Sequence, residues 1–357
     1  MEFGPGSLED LGLMKILVTG AQGYIGTLLA AHLLARGHAV VGLDTGFFND
    51  GWLYHADLPV PECIRKDVRS VREEDLIGFD AVVHLAELSN DPLGELRPEI
   101  THEINYLGSI GLARKCKSAR VPRFVYASSC SVYGVGDGEY KTEESTPIPQ
   151  TAYARCKVLV EQELSRMADD NFSPTMLRNA TAYGPSPRMR FDLVLNNLAG
   201  WAWTAKEIRL TSDGTPHRPL AHVLDICEAM ACTLEAPREA VHGQIFNVGQ
   251  TRENYRISEI ADIVASVLPG CRVTLGTRDG DTRSYRVSFD KIQAMLPGFK
   301  ARRTAQDGAR ELVELFERIQ LGAETFEFRA FTRVKQLKYL AESGQIDAGF
   351  FWRRADD

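Results

Sequence analysis

Gly20-Ala-Gln-Gly-Tyr-Ile-Gly26 joins two segments of different apolar period, and that junction decides the fold. Before it, Lys15-Ile-Leu-Val-Thr19 is a short apolar run of strand type. After it, Ile25, Leu28, Leu29 and Leu33 recur at helical spacing between Tyr24 and Arg36. A glycine turn between strand and helix presents free backbone N–H groups and the positive end of the helix dipole, where phosphate can sit. Gly20 permits the tight turn, Gly23 lets backbone approach a pyrophosphate, and Gly26 allows close helix-to-strand packing. Tyr24 and Ile25 open the helix and belong to the same cradle. The next apolar run, Ala39-Val-Val-Gly-Leu43, ends at Asp44, where a carboxylate can accept bonds from an adenosine ribose and would repel a 2′-phosphate. The segment therefore reads as a dinucleotide site that prefers NAD to NADP.

Strand and helix patterns keep alternating: Cys63 to Val68, Ala81 to Leu85, a long helical pattern from Pro98 to Ala119, and the strand Arg123-Phe-Val-Tyr-Ala127. A helix from Tyr153 towards Ala168 and the strand Pro174 to Arg178 follow. This is the signature of an α/β, Rossmann-like, doubly wound parallel sheet. Beyond Gly184 the texture changes to prolines, a helical stretch from Phe191 to Ala205 and shorter strands near 208–210 and 244–248. The expected organisation is an NAD-binding domain over 14–184 carrying the catalytic residues, a smaller, mainly substrate-binding C-terminal lobe over 185–330, and a helical extension over 331–357. In the extension, Val334, Leu337, Leu340 and Ile346 are spaced as an amphipathic helix packed on the body. Residues 1–13 read as an appended leader, with Met14 the expected native start.

The 357 residues carry a net charge of -7 and are 44% hydrophobic, a composition that gives no electrostatic footprint for nucleic acid or an anionic membrane. Seven dispersed cysteines without a CxxC pair indicate neither a disulfide framework nor a metal site, so a reducing cytoplasm is expected.

Tyr153-Ala-Arg-Cys-Lys157 places a phenol and an ammonium at i and i+4, on one helix face. An ammonium and a nicotinamide cation favour the phenolate, which can take a hydroxyl proton as hydride leaves the same carbon. The motif follows Ser128-Ser129-Cys130-Ser131-Val132-Tyr133-Gly134, at the carboxyl end of a strand, where open α/β sheets bind ligands.

With these motifs in order, joined by Lys66-Asp67-Val68, His84-Leu85-Ala86, the run LRNATAYGP (177–185) and DGTPHRPLAHVLDI (213–226), the chain resembles the extended short-chain dehydrogenase/reductase family, in its nucleotide-sugar epimerase and dehydratase branch, from Lys15 to Gln320. The resemblance implies that Asp67 and Val68 contact the adenine, that Leu85 and Ala86 line the cofactor, and that Ser129, Tyr153 and Lys157 form the catalytic trio. It also implies that Arg218 and Arg278 hold the substrate diphosphate, and that a homodimer forms through the two long helices.

Two departures bear on the reaction. Where 4,6-dehydratases carry an Asp-Glu pair, this chain has Cys130 and Ser131, so the acid and base for eliminating water are missing. Cys130 is either a tuned thiol that takes one of those roles or a small packing residue. Thr181 stands where the family often has a substrate-binding asparagine, with Asn179 two residues earlier. Glu87 is a carboxylate near the cleft that either contacts the sugar or serves the surface. The expected function is an NAD-dependent nucleotide-sugar epimerase acting at carbon 4 through a 4-keto sugar. The alternatives are a dehydratase or dehydrogenase/reductase using Cys130, and an NAD-sensing scaffold on the same fold.

Overall fold

The computed structural model describes residues 12–89, 91–276 and 283–353. Its central sheet holds seven strands: β1 (Lys15–Thr19), β2 (Ala39–Asp44), β3 (Glu62–Arg65), β4 (Ala81–His84), β5 (Arg123–Ser129), β6 (Ser173–Asn179) and β7 (Ile245–Val248). All pair in parallel, in the order β3-β2-β1-β4-β5-β6-β7, with Ile16 of β1 opposite Val40 on one side and Ala81 on the other. Strand order reverses between β1 and β4, so the crevice at their carboxyl ends is the natural ligand site.

Strand alternation supplies both faces of the sheet. Ile16 and Val18 pack with Leu29 and Leu33 of helix α1 (Tyr24–Ala35) and Ile226 and Met230 of a helix at Val223–Glu235. Leu17 and Phe124 point the other way, into Ile110 and the side chains Val160 and Leu164 of helix α2 (Ala152–Met167). Burying each such aliphatic side chain contributes about 1.5–3 kcal/mol.

The second lobe is built on a small sheet, with His217–His222 between Asn254–Arg256 and Thr181–Tyr183, and on a core including Leu195, Leu198, Ile260, Leu312 and Phe316. The helix expected from Phe191 starts at Val194, because Phe191 is drawn into an aromatic cluster with Phe326 and Phe331 at ring distances of 4.8 and 5.7 Å. Two segments within 185–330 return to the first domain: β7 extends the central sheet beside β6, and Val223–Glu235 packs on α1. The C-terminal helix α3 (Arg333–Glu342) packs on the body as its apolar spacing indicates, Leu337 and Leu340 meeting Phe47, Leu88 and Ile104. Among the described residues no helix is long and apolar enough to cross a membrane.

Candidate active site

The carboxyl ends of the strands open into a cleft of about 900 Å³ that runs from Asp44 to the second lobe. Its first wall is the glycine turn, where Gly20, Gly23, Tyr24, Ile25 and Gly26 all face the cleft. Gly20 has φ +71°, and a Cβ there would lie 2.9 Å from the Ala86 amide nitrogen. A Cβ on Gly26 would lie 2.1 Å from the Gly20 carbonyl oxygen. At Gly23 the only close neighbour among the described residues is that same oxygen at 3.1 Å, so the space a side chain would fill is left to a ligand. This is the cradle expected for a dinucleotide diphosphate.

At the end of the cleft where the adenosine is expected stand Asp44, Asp67 and Val68. Asp44 accepts from the amides of Gln22 at 3.0 Å and Gly46 at 2.8 Å, and burial raises its carboxyl above the usual range. Asp67 caps the short turn Val68–Ser70 and is gripped by Arg69 at 3.0 and 2.8 Å. Leu85 and Ala86 follow β4, their amides donating to Thr19 Oγ1 at 3.2 Å each. Thr19 in turn bonds His84 Nδ1 at 2.7 Å, while His84 Nε2 meets Ser109 Oγ at 2.8 Å. Ser109 donates its own proton to the Asn105 carbonyl, so Nε2 is the donor to Ser109; burial and then Lys157 hold the ring neutral by lowering its pKa to about 3. The helix expected over 98–119 is interrupted by a π-helical stretch, His102–Gly108, in which Asn105 bonds both the N–H and C=O of Leu88 and so fixes the loop after β4.

The reacting end combines β5, β6 and α2. Thr151 caps α2 by accepting from the Ala154 amide at 3.2 Å, which sets the helix so that Tyr153 and Lys157 face the cleft beside Ser129. Burial, then the Glu87 and Asp91 carboxylates, push the Tyr153 pKa up, and the neighbouring Ser129 hydroxyl opposes that push. Lys157 is buried; its Nζ donates to the Ala127 carbonyl, lies 2.5 Å from Glu87 Oε2, and sits 5.3 Å from the centre of the Tyr153 ring. Glu87 is not a surface group: its side chain is 2% exposed, Oε1 accepts from Tyr126 OH at 2.7 Å, and Oε2, ion-paired with Lys157, has no hydrogen-bond partner among the described residues. The ion pair with Lys157 fits a carboxylate, although burial raises its pKa against that pull.

Cys130 is separated from this group. Its Sγ points to the Arg178 carbonyl at 3.2 Å, away from the cleft wall, and burial holds the thiol far above its usual range. Such a thiol cannot reach a substrate or supply a thiolate. Ser131 and Asn179 do line the cleft, and Ser131 Oγ and Asn179 Oδ1 are buried without a partner among the described residues, as polar atoms awaiting a ligand would be. Thr181 lines it one step further along.

Arg218 reaches the far end of the cleft, donating to the His217 carbonyl at 2.9 Å. Arg278 lies outside the described residues. Four arginines not singled out from sequence join the lining: Arg190, Arg209, Arg333 and Arg283, the last paired with Asp91. Arg283 stands five residues after Arg278, and Arg190 pairs with Asp192 two residues on, a spacing visible in RFD at 190–192.

Residues 16–249 match the family model described as the NAD dependent epimerase/dehydratase family. The UDP-glucose 4-epimerase of Corynebacterium glutamicum is 30% identical over 300 residues, covering 79% of this chain and 90% of the relative. Among solved structures, MoeE5 in complex with UDP-glucuronic acid and NAD is 30% identical with a TM-score of 0.74, covering 85% of this chain and 99% of that one. The UDP-glucose 4-epimerase of Thermus thermophilus, solved with NAD, is 26% identical with a TM-score of 0.72, covering 85% and 99%.

Proposed function

The chain belongs to the NAD-dependent epimerase/dehydratase family, whose members act on nucleotide sugars, and we propose that it is a nucleotide-sugar 4-epimerase. One observation carries the choice of epimerisation over dehydration. Among the described residues five carboxylates line the cleft, and each is engaged: Asp44 by loop amides, Asp67 by Arg69, Glu87 by Lys157, Asp91 by Arg283 and Asp192 by Arg190. Elimination of water needs a second acid/base pair, whereas epimerisation at one carbon needs a single proton site.

The glycine turn, Asp44 and Lys157 would hold NAD along the cleft, where it would supply hydride uptake and return. Tyr153 accepts the proton of the sugar 4-hydroxyl and gives it back after the 4-keto sugar has turned its other face. Ser129 orients that oxygen. Lys157 donates one N–H to the Ala127 carbonyl and is ion-paired with Glu87, with donor capacity remaining for the nicotinamide ribose. Arg209, Arg218 and Arg283 supply guanidinium forks for the substrate diphosphate. Asn179, Ser131 and Thr181 face the sugar. The reading includes a homodimer through the segment 98–118 and α2, where Leu107 is 52% exposed, and residence in a reducing cytoplasm, consistent with cysteines that are all free.

Incubating the protein with UDP-, dTDP-, GDP- and CDP-sugars, with products read by mass spectrometry and NMR, tests the proposal. An isomer of unchanged mass is expected. Loss of one water would overturn it in favour of dehydration, and no turnover of any sugar, together with a biological effect that survives Tyr153→Phe, would favour an NAD-sensing scaffold.

A further inference from the structure

Arg333 opens the C-terminal helix α3, beyond the residues matched to the family, yet it lines the cofactor cleft. It is 4% exposed, and its guanidinium makes no hydrogen bond or ion pair to any described residue; its close contact is the face of Phe48, 4.0 Å away. Its backbone N–H, by contrast, is bonded to Asp192 at 3.3 Å. A buried guanidinium without a partner is unfavourable and marks a place where an anion belongs.

The charges facing it show where along the cleft it lies. From β2 comes Asp44; from the loop 184–193 come Arg188, Arg190 and Asp192. Asp44 marks the adenosine end, while Arg190 acts on both Tyr24 of the glycine turn and Tyr153 of the reacting end. Arg333 therefore lies between Asp44 and the Arg190–Asp192 pair, in the same cleft as the glycine turn. Asp192 is committed to Arg190 at 2.9 and 3.1 Å and Asp44 to loop amides, so three guanidinium groups face two occupied carboxylates. The local excess is positive. Burial, followed by repulsion from Arg190, lowers the Arg333 pKa to about 9, a strain that a bound anion would relieve.

We propose that Arg333 is a ligand for the diphosphate of the bound dinucleotide, supplied by the C-terminal extension from a second wall of the cleft. The extension is fastened for this task. Gln336 Nε2 donates to the Phe47 carbonyl at 3.0 Å, Trp352 Nε1 donates to the Thr45 carbonyl at 2.7 Å, and Arg69 donates to the Gly349 carbonyl at 2.8 Å. These bonds tie α3 and the tail to the loop after β2 and to the Val68–Ser70 turn, so the extension and the adenosine end are held together.

The test uses nucleotide-free full-length protein, with binding followed by calorimetry and stability by thermal melting. Arg333→Gln is expected to weaken ADP-ribose about tenfold or more, while adenosine, which lacks the diphosphate, and UDP, which occupies the substrate end, change by less than about twofold. Arg333→Met, which removes the unpaired buried charge, is expected to leave the nucleotide-free protein at least as stable as wild type and to abolish most of the stabilisation by NAD. Unchanged ADP-ribose affinity would overturn the proposal. A parallel loss of ADP-ribose, adenosine and UDP, with a lower melting temperature of the nucleotide-free variant, would assign Arg333 to folding instead. Tighter wild-type binding of NADP than NAD, lost in Arg333→Gln, would move its anion to the 2′-phosphate and overturn it equally.

Discussion

Glu87→Gln removes a buried negative charge next to the reacting end. Glu87 Oε2 is 2.5 Å from Lys157 Nζ, which is 5.3 Å from the Tyr153 ring centre, so the carboxylate lies within about 8 Å of that centre. At an effective dielectric of about 20, such a charge interacts with a phenolate by about 2 kcal/mol, or about 1.5 pKa units. Glu87 raises the Tyr153 pKa, so its neutralisation lowers it, and the phenolate forms at lower pH. The other groups acting on Tyr153, namely Asp91, Arg190 and Ser129, are untouched. The acid limb of kcat/KM against pH is therefore expected to move down by about 1–1.5 units, measured with whichever nucleotide sugar the enzyme isomerises. Breaking the pair also leaves Lys157 uncompensated and should reduce stability by about 3–5 kcal/mol, so rates are compared well below the variant's melting temperature. An acid limb that stays in place, or moves up, would refute the electrostatic role of Glu87.

Tyr153→Phe should lower kcat by about 10²–10⁴ with NAD still bound, as measured by turnover and by nucleotide released on denaturation; retained turnover would remove Tyr153 from the proton path. Cys130→Ala should leave the reaction rate within a few-fold of wild type while reducing stability by about 1 kcal/mol, read from initial rates and melting. Gly26→Ala drives a Cβ to 2.1 Å from the Gly20 carbonyl, so the turn must deform; a loss of about 1–3 kcal/mol in stability and of bound NAD is expected from melting and nucleotide content. Arg283→Gln should raise KM about tenfold with little change in kcat, whereas an equal fall in kcat and kcat/KM would make it a transition-state contact.

The sequence made legible what depends on local period and backbone conformation. The glycine turn, the acidic end of β2, and the i, i+4 pairing of Tyr153 with Lys157 each rest on residues within a few positions, and the fold brings all of them to one cleft. Cys130 opens a 3₁₀ turn (Cys130–Tyr133) where β5 ends, so strand alternation gives no guide to its side chain, which turns to the Arg178 carbonyl. The Glu87–Lys157 pair depends instead on how far α2 slides along the end of β4. Nothing within either segment fixes that, and the pair becomes visible only once the sheet order is known.

The same distinction explains the C-terminal extension. Its apolar spacing indicates a packed helix, and Leu337 and Leu340 pack as that pattern requires. Periodicity selects the buried face but says nothing about what the face covers, and a buried arginine in the first turn looks, in sequence, like any solvated one. Here the covered surface is the loop after β2, held by Gln336 and Trp352, which places Arg333 beside Asp44 and Arg190. A segment outside the matched family region thus shares a wall with the cofactor cleft. Its burial without a partner, rather than its position in the chain, is what distinguishes this arginine from the charged residues around it.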